Sequence, residues 1–569
     1  MHPLNRKSSR KKSREFSIIN RTFKFYSRKE RIVSIVLAIV MLFSGWQLLA
    51  GDWGRSITSV ITGGHNYNEG MVGEIIRLNP VYTELNEVDQ DITSLIFEGL
   101  TKYDPQQKKF VENMATHTLD DTQSIYTFTL KDGLTWHDGT PVTADDVYFT
   151  YHDVIQNPDF ENPILKESFS GVTVEKIDEK TIKMTLKEVN SFFFTQLTVG
   201  ILPQHLLADV PVSELDSNDF NQKPIGNGPY RVTDAYDRST DGITGISLEY
   251  YENYWKNDSP EITEINFTAY PTYEDLIKNR GKLHGIARVP NYRIEEVKQD
   301  RFIQNAYALP QYTALFLQTD DEELVKEKIR IGIQKSIDKK AIVDAIGYDY
   351  IVDTPLLELS QEDWINQPNT EEAAGAFFEA GWPLDETRGV RINEDGDQIL
   401  AFTLVRRSYS DLEQEKVAKT TADMIASQLE AIGVTVTVEA YDIAPFQEKV
   451  KNRDYDLLLY GQNLGYNLDT YSFWHSSQVG DGLNLSNYGN AKADFYIQAI
   501  RSTFDDESEQ KTEYLRKLGE IINNDVPAVF LYRPTYYFLA DERLQNIYTE
   551  NLLFPQDRFS NILQWTVQP

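Results

Sequence analysis

Cysteine is absent from the 569 residues, which excludes disulfides, thiolate metal sites and cysteine nucleophiles together. Histidine is scarce. The eight present are scattered, and none falls in H-E-x-x-H or another ligand spacing. There is no G-x-S-x-G elbow, no phosphate loop and no dinucleotide fingerprint. Carboxylate pairs such as Asp145-Asp146 carry little weight in a chain with 87 Asp and Glu. The sequence offers no catalytic set, no cofactor and no metal site, and it reads as a non-enzyme. Positive charge is short as well. The net charge is −31, and eleven Lys and Arg against Glu15 and Glu30 give residues 1–31 a balance of +9, so the remainder carries −40. An acidic body repels phosphate, which argues against nucleic acid as a partner.

Long apolar runs are missing too, with one exception. Residues 32–50, IVSIVLAIVMLFSGWQLLA, hold no charge. At about 1.5 Å per residue they span about 28 Å, against a bilayer core of roughly 30 Å. Trp46 and Trp53 sit where interfacial aromatics are common. The alternatives are an uncleaved transmembrane anchor and a cleaved signal peptide. Apolar cores of signal peptides run about 7–15 residues, and Leu48-Leu49-Ala50 is a poor small-x-small site, so the anchor is favoured. The positive-inside bias then puts the N-terminus in the cytoplasm and the acidic body outside. Residues 51–71 hold Gly, Ser, Thr and Asn and read as a linker, with the folded body beginning near Val72.

Such a length implies two to four domains of roughly 100–200 residues each. Residues 126–155, YTFTLKDGLTWHDGTPVTADDVYFTYHDVI, are the most organised stretch. Tyr126, Phe128 and Leu130 alternate with threonines as one face of a strand. Turns follow at Lys131-Asp132-Gly133 and at Gly139. Thr143 with Asp146 three residues on forms a capping box with Asp in place of Glu. Val147, Tyr151, Val154 and Ile155 line one helix face. Residues 171–186 alternate as a hairpin, and 75–78 suggest a strand. From residue 312 onward helix and strand alternate: strands at 312–318, 402–405, 434–438 and 456–460, helices at 322–337, 338–347, 373–380 and 413–432. This is α/β grammar.

The wording of residues 128–147, FTLKDGLTWHDGTPVTADDV, resembles the signature of the oligopeptide, dipeptide and nickel class of extracellular solute-binding proteins, family 5. Supporting elements are 75–104 with its E-G-L helix, ILPQHLL at 201–207, PIGNGPYRV at 224–232, IRIGIQKSIDKKAIVDAIG at 329–347 and DVPAVFLYRP at 525–534. The resemblance implies an α/β, periplasmic-binding-protein-like type II fold: two lobes with an extra domain, here preceded by the N-terminal transmembrane helix. By that analogy lobe I comprises 72–112, 226–308 and 527–569, the extra domain 113–225, and lobe III 309–526. Crossings between the lobes are expected near Leu309–Thr313 and Asp525–Val529. Many relatives carry lipid on a cysteine after a Leu-x-small triplet. Here Gly51 follows Leu48-Leu49-Ala50, so only the helix remains to hold the protein at the membrane.

The implied function is capture without chemistry. An oligopeptide or dipeptide is held in the inter-lobe cleft and delivered to the permease subunits of an ATP-binding-cassette importer. The alternatives are another cargo on the same scaffold (nickel chelate, sugar, haem or murein fragment), or a surface receptor uncoupled from transport. Residues 460–488 carry the candidate site, because they follow a buried strand and interleave rings with amides, a mixture suited to extended polar ligands. The candidates are Tyr460, Gln462, Gly465, Tyr466, Asn467, Asp469, Trp474, Asn484 and Asn487, with Glu84 in the opening segment. In peptide binders of the family an Asp in this loop holds the ligand's amine. Gly465 stands at that position, with Asp469 nearby as a substitute.

Overall fold

The computed structural model describes residues 65–569, apart from 84–85, 239–240, 257, 349, 358, 360–363, 365, 467–468, 481, 505–507 and 569. Three large sheets organise it. A seven-stranded sheet runs in the order Phe302–Ala308, Thr535–Asp541, Gly285–Pro290, His65–Val72, Ile262–Tyr270, Thr244–Tyr250 and Tyr230–Arg238. A six-stranded sheet runs Tyr350–Ile351, Ala528–Arg533, Gln311–Leu317, Leu457–Asn463, Ala401–Arg407 and Thr435–Tyr441. Four strands between Ala115 and Thr185 make the third sheet, antiparallel throughout. We call the bodies built on these sheets the first lobe, the second lobe and the extra domain.

The chain passes between the first two sheets twice. Phe302–Ala308 lies in one and Gln311–Leu317 in the other, so the first crossing is at Leu309-Pro310, where the sequence places it. The second differs from expectation. Ala528–Arg533 pairs with Gln311–Leu317 and Thr535–Asp541 pairs with Phe302–Ala308, which puts the crossing at Pro534 and not at Asp525–Val529. Proline has no amide to donate and ends the ladder there. Arg533 ties the two crossings together, donating from Nε to the Leu309 carbonyl at 2.6 Å and from Nη2 to that of Ala308 at 3.0 Å.

The signature residues are structural. Thr143 and Asp146 form the expected capping box on Ala144–Tyr148. The second Asp146 oxygen accepts from the Gln204 amide at 2.9 Å, so the cap also anchors ILPQHLL. Beyond Tyr148 the helix widens into a π-helical segment, Phe149–Ile155, which carries Tyr151, Val154 and Ile155 into the core. His137 is buried and clamps the PIGNGPY loop: Nδ1 accepts from the Gly226 amide at 3.1 Å and Nε2 donates to the Gly228 carbonyl at 3.0 Å. The two glycines are required by close approach. A Cβ on Gly226 would lie 2.0 Å from the Ile96 carbonyl oxygen, and one on Gly228 2.6 Å from that of Leu95. Asn227 between them accepts from the Glu98 amide at 2.7 Å, closing the turn after helix Glu87–Ile96.

Helix Lys339–Ile346 begins at the Asp338 cap and ends at Gly347 with φ +73°, as read from the sequence. Helix Leu412–Glu430 stops just before Gly433, whose φ is +90°. Two early readings are corrected. Residues 75–78 form no strand and join no sheet. The folded body includes residues ahead of Val72, because Tyr67, Glu69 and Met71 are fully buried in the first lobe. Among the described residues no helix is long and apolar enough to cross a membrane. The candidate span 32–50 lies outside them.

Candidate cleft between the lobes

Ala401–Arg407, Thr435–Tyr441 and Leu457–Asn463 run parallel and end at one edge of the second lobe. Helices Leu412–Glu430 and Ile443–Asn452 start from that edge. Ligand groups in α/β folds gather at such carboxyl ends, where helix N-termini and loops converge. Arg406 and Arg407 close the first of these strands and behave differently. Arg406 is buried and grips Glu415 with two bonds, at 2.6 and 3.0 Å. Glu415 also accepts from the Tyr409 amide at 3.0 Å, which sets the loop. Arg407 is half-buried, lies over the Tyr409 ring at 4.7 Å, and makes no ion pair among the described residues. Its field and that of Tyr460 reach each other. It is thus a guanidinium held in place by a ring, with no carboxylate partner among the described residues.

The first lobe answers with tyrosines. Burial and the neighbouring Asp411 and Tyr536 raise the Tyr292 hydroxyl's pKa, and burial with Glu87 raises that of Tyr536 to about 12, so both stay neutral. Tyr409 of the second lobe lies within reach of both. Beside them the lobes touch directly. Arg293 bonds Asp411 at 2.9 Å and lies over the Tyr273 ring at 5.2 Å, and the Asn291 amide donates to the Gly347 carbonyl. Below this wall Arg558 bonds both Glu69 and Asp91, and Arg288 bonds Asp91 at 2.7 Å and Glu87 at 3.0 Å. Arg288 has φ +59° at a bulge of its strand. A buried chain of alternating charges is costly unless complete, and here both buried carboxylates are paired.

The sequence candidates separate into groups. Tyr460 is half-buried at the parallel edge and stacked on Phe446 at 6.0 Å. Gln462 is buried and accepts from the Tyr312 hydroxyl. Gly465 takes φ +52°, and Tyr466 reaches across to the first lobe, where its hydroxyl donates to Asp557. Asp469 is not a free carboxylate: it is buried against Arg501 at 3.0 Å and accepts from the Tyr471 amide at 3.0 Å. Burial raises its pKa although Arg501 opposes this. Trp474 and Asn484 are buried within the second lobe. The indole is buried between Phe316 and Phe530, at 6.2 and 5.7 Å. Asn484 is fully buried and splints its own loop through both the amide and the carbonyl of Tyr488. Asn487 bonds Asp320 at 3.0 Å in an open concavity shared with Asp456, at the opposite end of strand Leu457–Asn463. It is therefore removed from the parallel edge. Glu84 and Asn467 lie outside the described residues.

Sequence reasoning missed Arg407, Tyr409, Tyr292, Arg293 and Tyr536. Arg406-Arg407 at the end of an apolar strand was a usable signal, since a charge there stands at the carboxyl edge. The tyrosines come from segments far apart and only the fold assembles them.

Comparison with known proteins agrees with this architecture. The oligopeptide-binding protein AppA of Bacillus subtilis is 27% identical over 516 residues, 87% of this chain and 90% of AppA. Di/tripeptide-binding protein 1 of Pseudomonas aeruginosa is 24% identical over 481 residues, covering 78% and 84%. The structure of B. subtilis AppA in complex with a nonapeptide matches with a TM-score of 0.70 at 25% identity, over 89% of this chain and 99% of that one. NikZ of Campylobacter jejuni in complex with Ni(L-His) matches equally in fold, with a TM-score of 0.70 at 23% identity over 88% and 99%. Residues 109–483 match the family described as bacterial extracellular solute-binding proteins, family 5 middle. The chain belongs to this family of two-lobed α/β proteins, which serve transport by binding and do no catalysis.

Proposed function

We propose that the chain captures a small polar solute with an anionic end, a peptide carboxylate above all, between its two lobes and delivers it to an importer of the ATP-binding-cassette type. The observation that carries this reading is Arg407: a guanidinium at the carboxyl edge of the parallel strands, oriented by Tyr409 and without an ion pair among the described residues. An uncompensated cation in a partly desolvated site is costly, and an anionic partner relieves the cost. Tyrosines from both lobes supply area and hydroxyls for a polar chain. That two of the relatives are named as peptide-binding proteins supports peptides as the cargo. The apolar, uncharged residues 32–50 and the basic tail before them would hold the protein at the membrane with its acidic body outside.

Mass spectrometry of solute released on unfolding the purified full-length chain tests the cargo. A peptide or another carboxylate-ended molecule is the expected result. Release of a cationic or neutral solute alone would overturn it.

A further inference from the structure

The loop that follows strand Leu457–Asn463 is docked into the opposite lobe. Tyr466 stands with its ring at 4.5 Å edge-to-face against Phe554, 5.6 Å from Phe110 and 6.2 Å from Tyr103. Phe110 and Tyr103 belong to the hairpin Thr101–Asp104 and Lys109–Glu112. The Tyr466 hydroxyl donates to Asp557, which is buried and also accepts from the amides of Leu553 and Phe554 at 2.9 and 2.7 Å. Tyr103 pins the socket by donating to the Asn551 carbonyl at 2.9 Å. The fit depends on the residue before the knob. A Cβ on Gly465 would lie 2.3 Å from the Phe554 ring, and its φ of +52° is costly for other residues.

We propose that Tyr466 and this first-lobe socket form a clasp that holds the lobes together without help from solute, so that the closed form is populated before capture. Every contact in the clasp is made by the chain's own side-chain and backbone groups. It is therefore independent of which solute the cleft takes. Solute binding then costs less closure free energy, and affinity falls when the clasp is cut through the loss of this closure. Tyr466 is in this sense a positioning residue.

The socket gives the clasp an acid response. Burial pushes Asp557 up to about 6, although Tyr466 and the two amides oppose this. The other charged or titratable groups near it are Tyr103 on the hairpin, Asp91 on helix Glu87–Ile96, and the adjacent Arg558, which is committed to Glu69 and Asp91. On this proposal, opening withdraws Tyr466 and lets water reach Asp557, whose pKa then falls toward the ordinary carboxylate value of about 4. A group whose pKa is higher in the closed form takes up a proton on closing, so closure strengthens as pH falls from 7 toward 5.

The absence of cysteine allows spin labels at two introduced thiols alone, one on each lobe at exposed positions: Ile303→Cys and Phe495→Cys. Inter-lobe distances are measured by pulsed electron resonance on the full-length chain without added solute. The expected result is a dominant short distance whose share grows on acidification. Tyr466→Ala and, independently, Phe554→Ala shift the ratio of short to long distances by on the order of tenfold. Tyr466→Phe keeps the ring contacts and gives a smaller shift, and Asp557→Asn flattens the pH response. Circular dichroism confirms that each variant is folded. Identical distance distributions in the parent and in whichever of Tyr466→Ala and Phe554→Ala folds would overturn the clasp. A parent profile flat between pH 7 and 5 would overturn the acid response.

Discussion

The Arg501 guanidinium meets the Asp469 carboxylate at 3.0 Å and covers the Tyr471 ring at 4.2 Å, while the Arg501 carbonyl accepts from the Ser191 amide of the extra domain at 2.7 Å. One residue thus fixes the loop after the parallel strands and joins it to a second body. The pair is buried, so removing one partner strands the other. Arg501→Ala should lower unfolding stability by about 3–5 kcal/mol, read as a shift in the urea midpoint. Asp469→Asn should leave the affinity for an amine-bearing peptide unchanged within about twofold, since that carboxylate is already committed to Arg501. A tenfold loss by calorimetry would return Asp469 to the ligand.

Arg407 makes the opposite prediction. With no internal partner to strand, Arg407→Gln should cost little stability. A charged hydrogen bond is worth about 1.5–3 kcal/mol, so affinity for a carboxylate-ended solute should fall roughly ten- to a hundredfold. Amidating the solute's carboxylate should cost the parent protein the same factor and cost the variant almost nothing. Titration calorimetry of all four combinations separates loss of this contact from general damage.

Trp474 tests how far a promising aromatic reaches. The ring is buried between Phe316 and Phe530, and removing so large a buried side chain costs about 3–5 kcal/mol. Trp474→Ala should therefore lower the chemical midpoint strongly. Solute affinity, measured well below the melting temperature, should stay within about threefold, because the indole has no exposed face.

These residues show what the sequence makes legible. Local rules worked where the physics is local. The Thr143–Asp146 box, the Asp338 cap and the positive φ of Gly347 depend on neighbours within a few positions. The alternating strands of the second lobe declared their apolar periods. Reading failed where a residue's partner is distant. His65–Val72 looks like a polar linker because Glu69 is satisfied by Arg558, at the other end of the chain. Asp469 looks free until Arg501 arrives from a later helix. Trp474 and Asn484 lie in an aromatic, amide-rich loop that resembles a ligand surface, but they face inward. The second crossing is ambiguous in the sequence because Pro527 and Pro534 are both plausible breaks, and only pairing partners distinguish them.

His137 supplies a prediction with a defined pH window. Its two ring nitrogens hold the loop at Gly226 and Gly228 in one tautomer, accepting at Nδ1 and donating at Nε2. Protonating Nδ1 would turn an acceptor toward an amide donor, and burial alone already disfavours the charge, so the ring's pKa falls to about 4. In the unfolded chain it titrates near about 6.5. A folded value below the unfolded one means that the neutral ring's stabilisation is complete above about 6.5 and is lost as pH falls toward about 4. The difference is worth on the order of 3 kcal/mol. Burial acts oppositely on Asp89, raising it to about 6, and Asp89 therefore gains stability over part of the same window. The parent's profile alone is thus a sum of opposing slopes. Comparison with His137→Asn isolates the histidine. The variant should be less stable at pH 7.5, and the gap should narrow by about 2–3 kcal/mol between pH 7 and 4.5. Urea unfolding at four pH values reads it. A gap that stays constant with pH would mean that the imidazole titrates normally and that its clamp on the glycine loop carries no charge dependence.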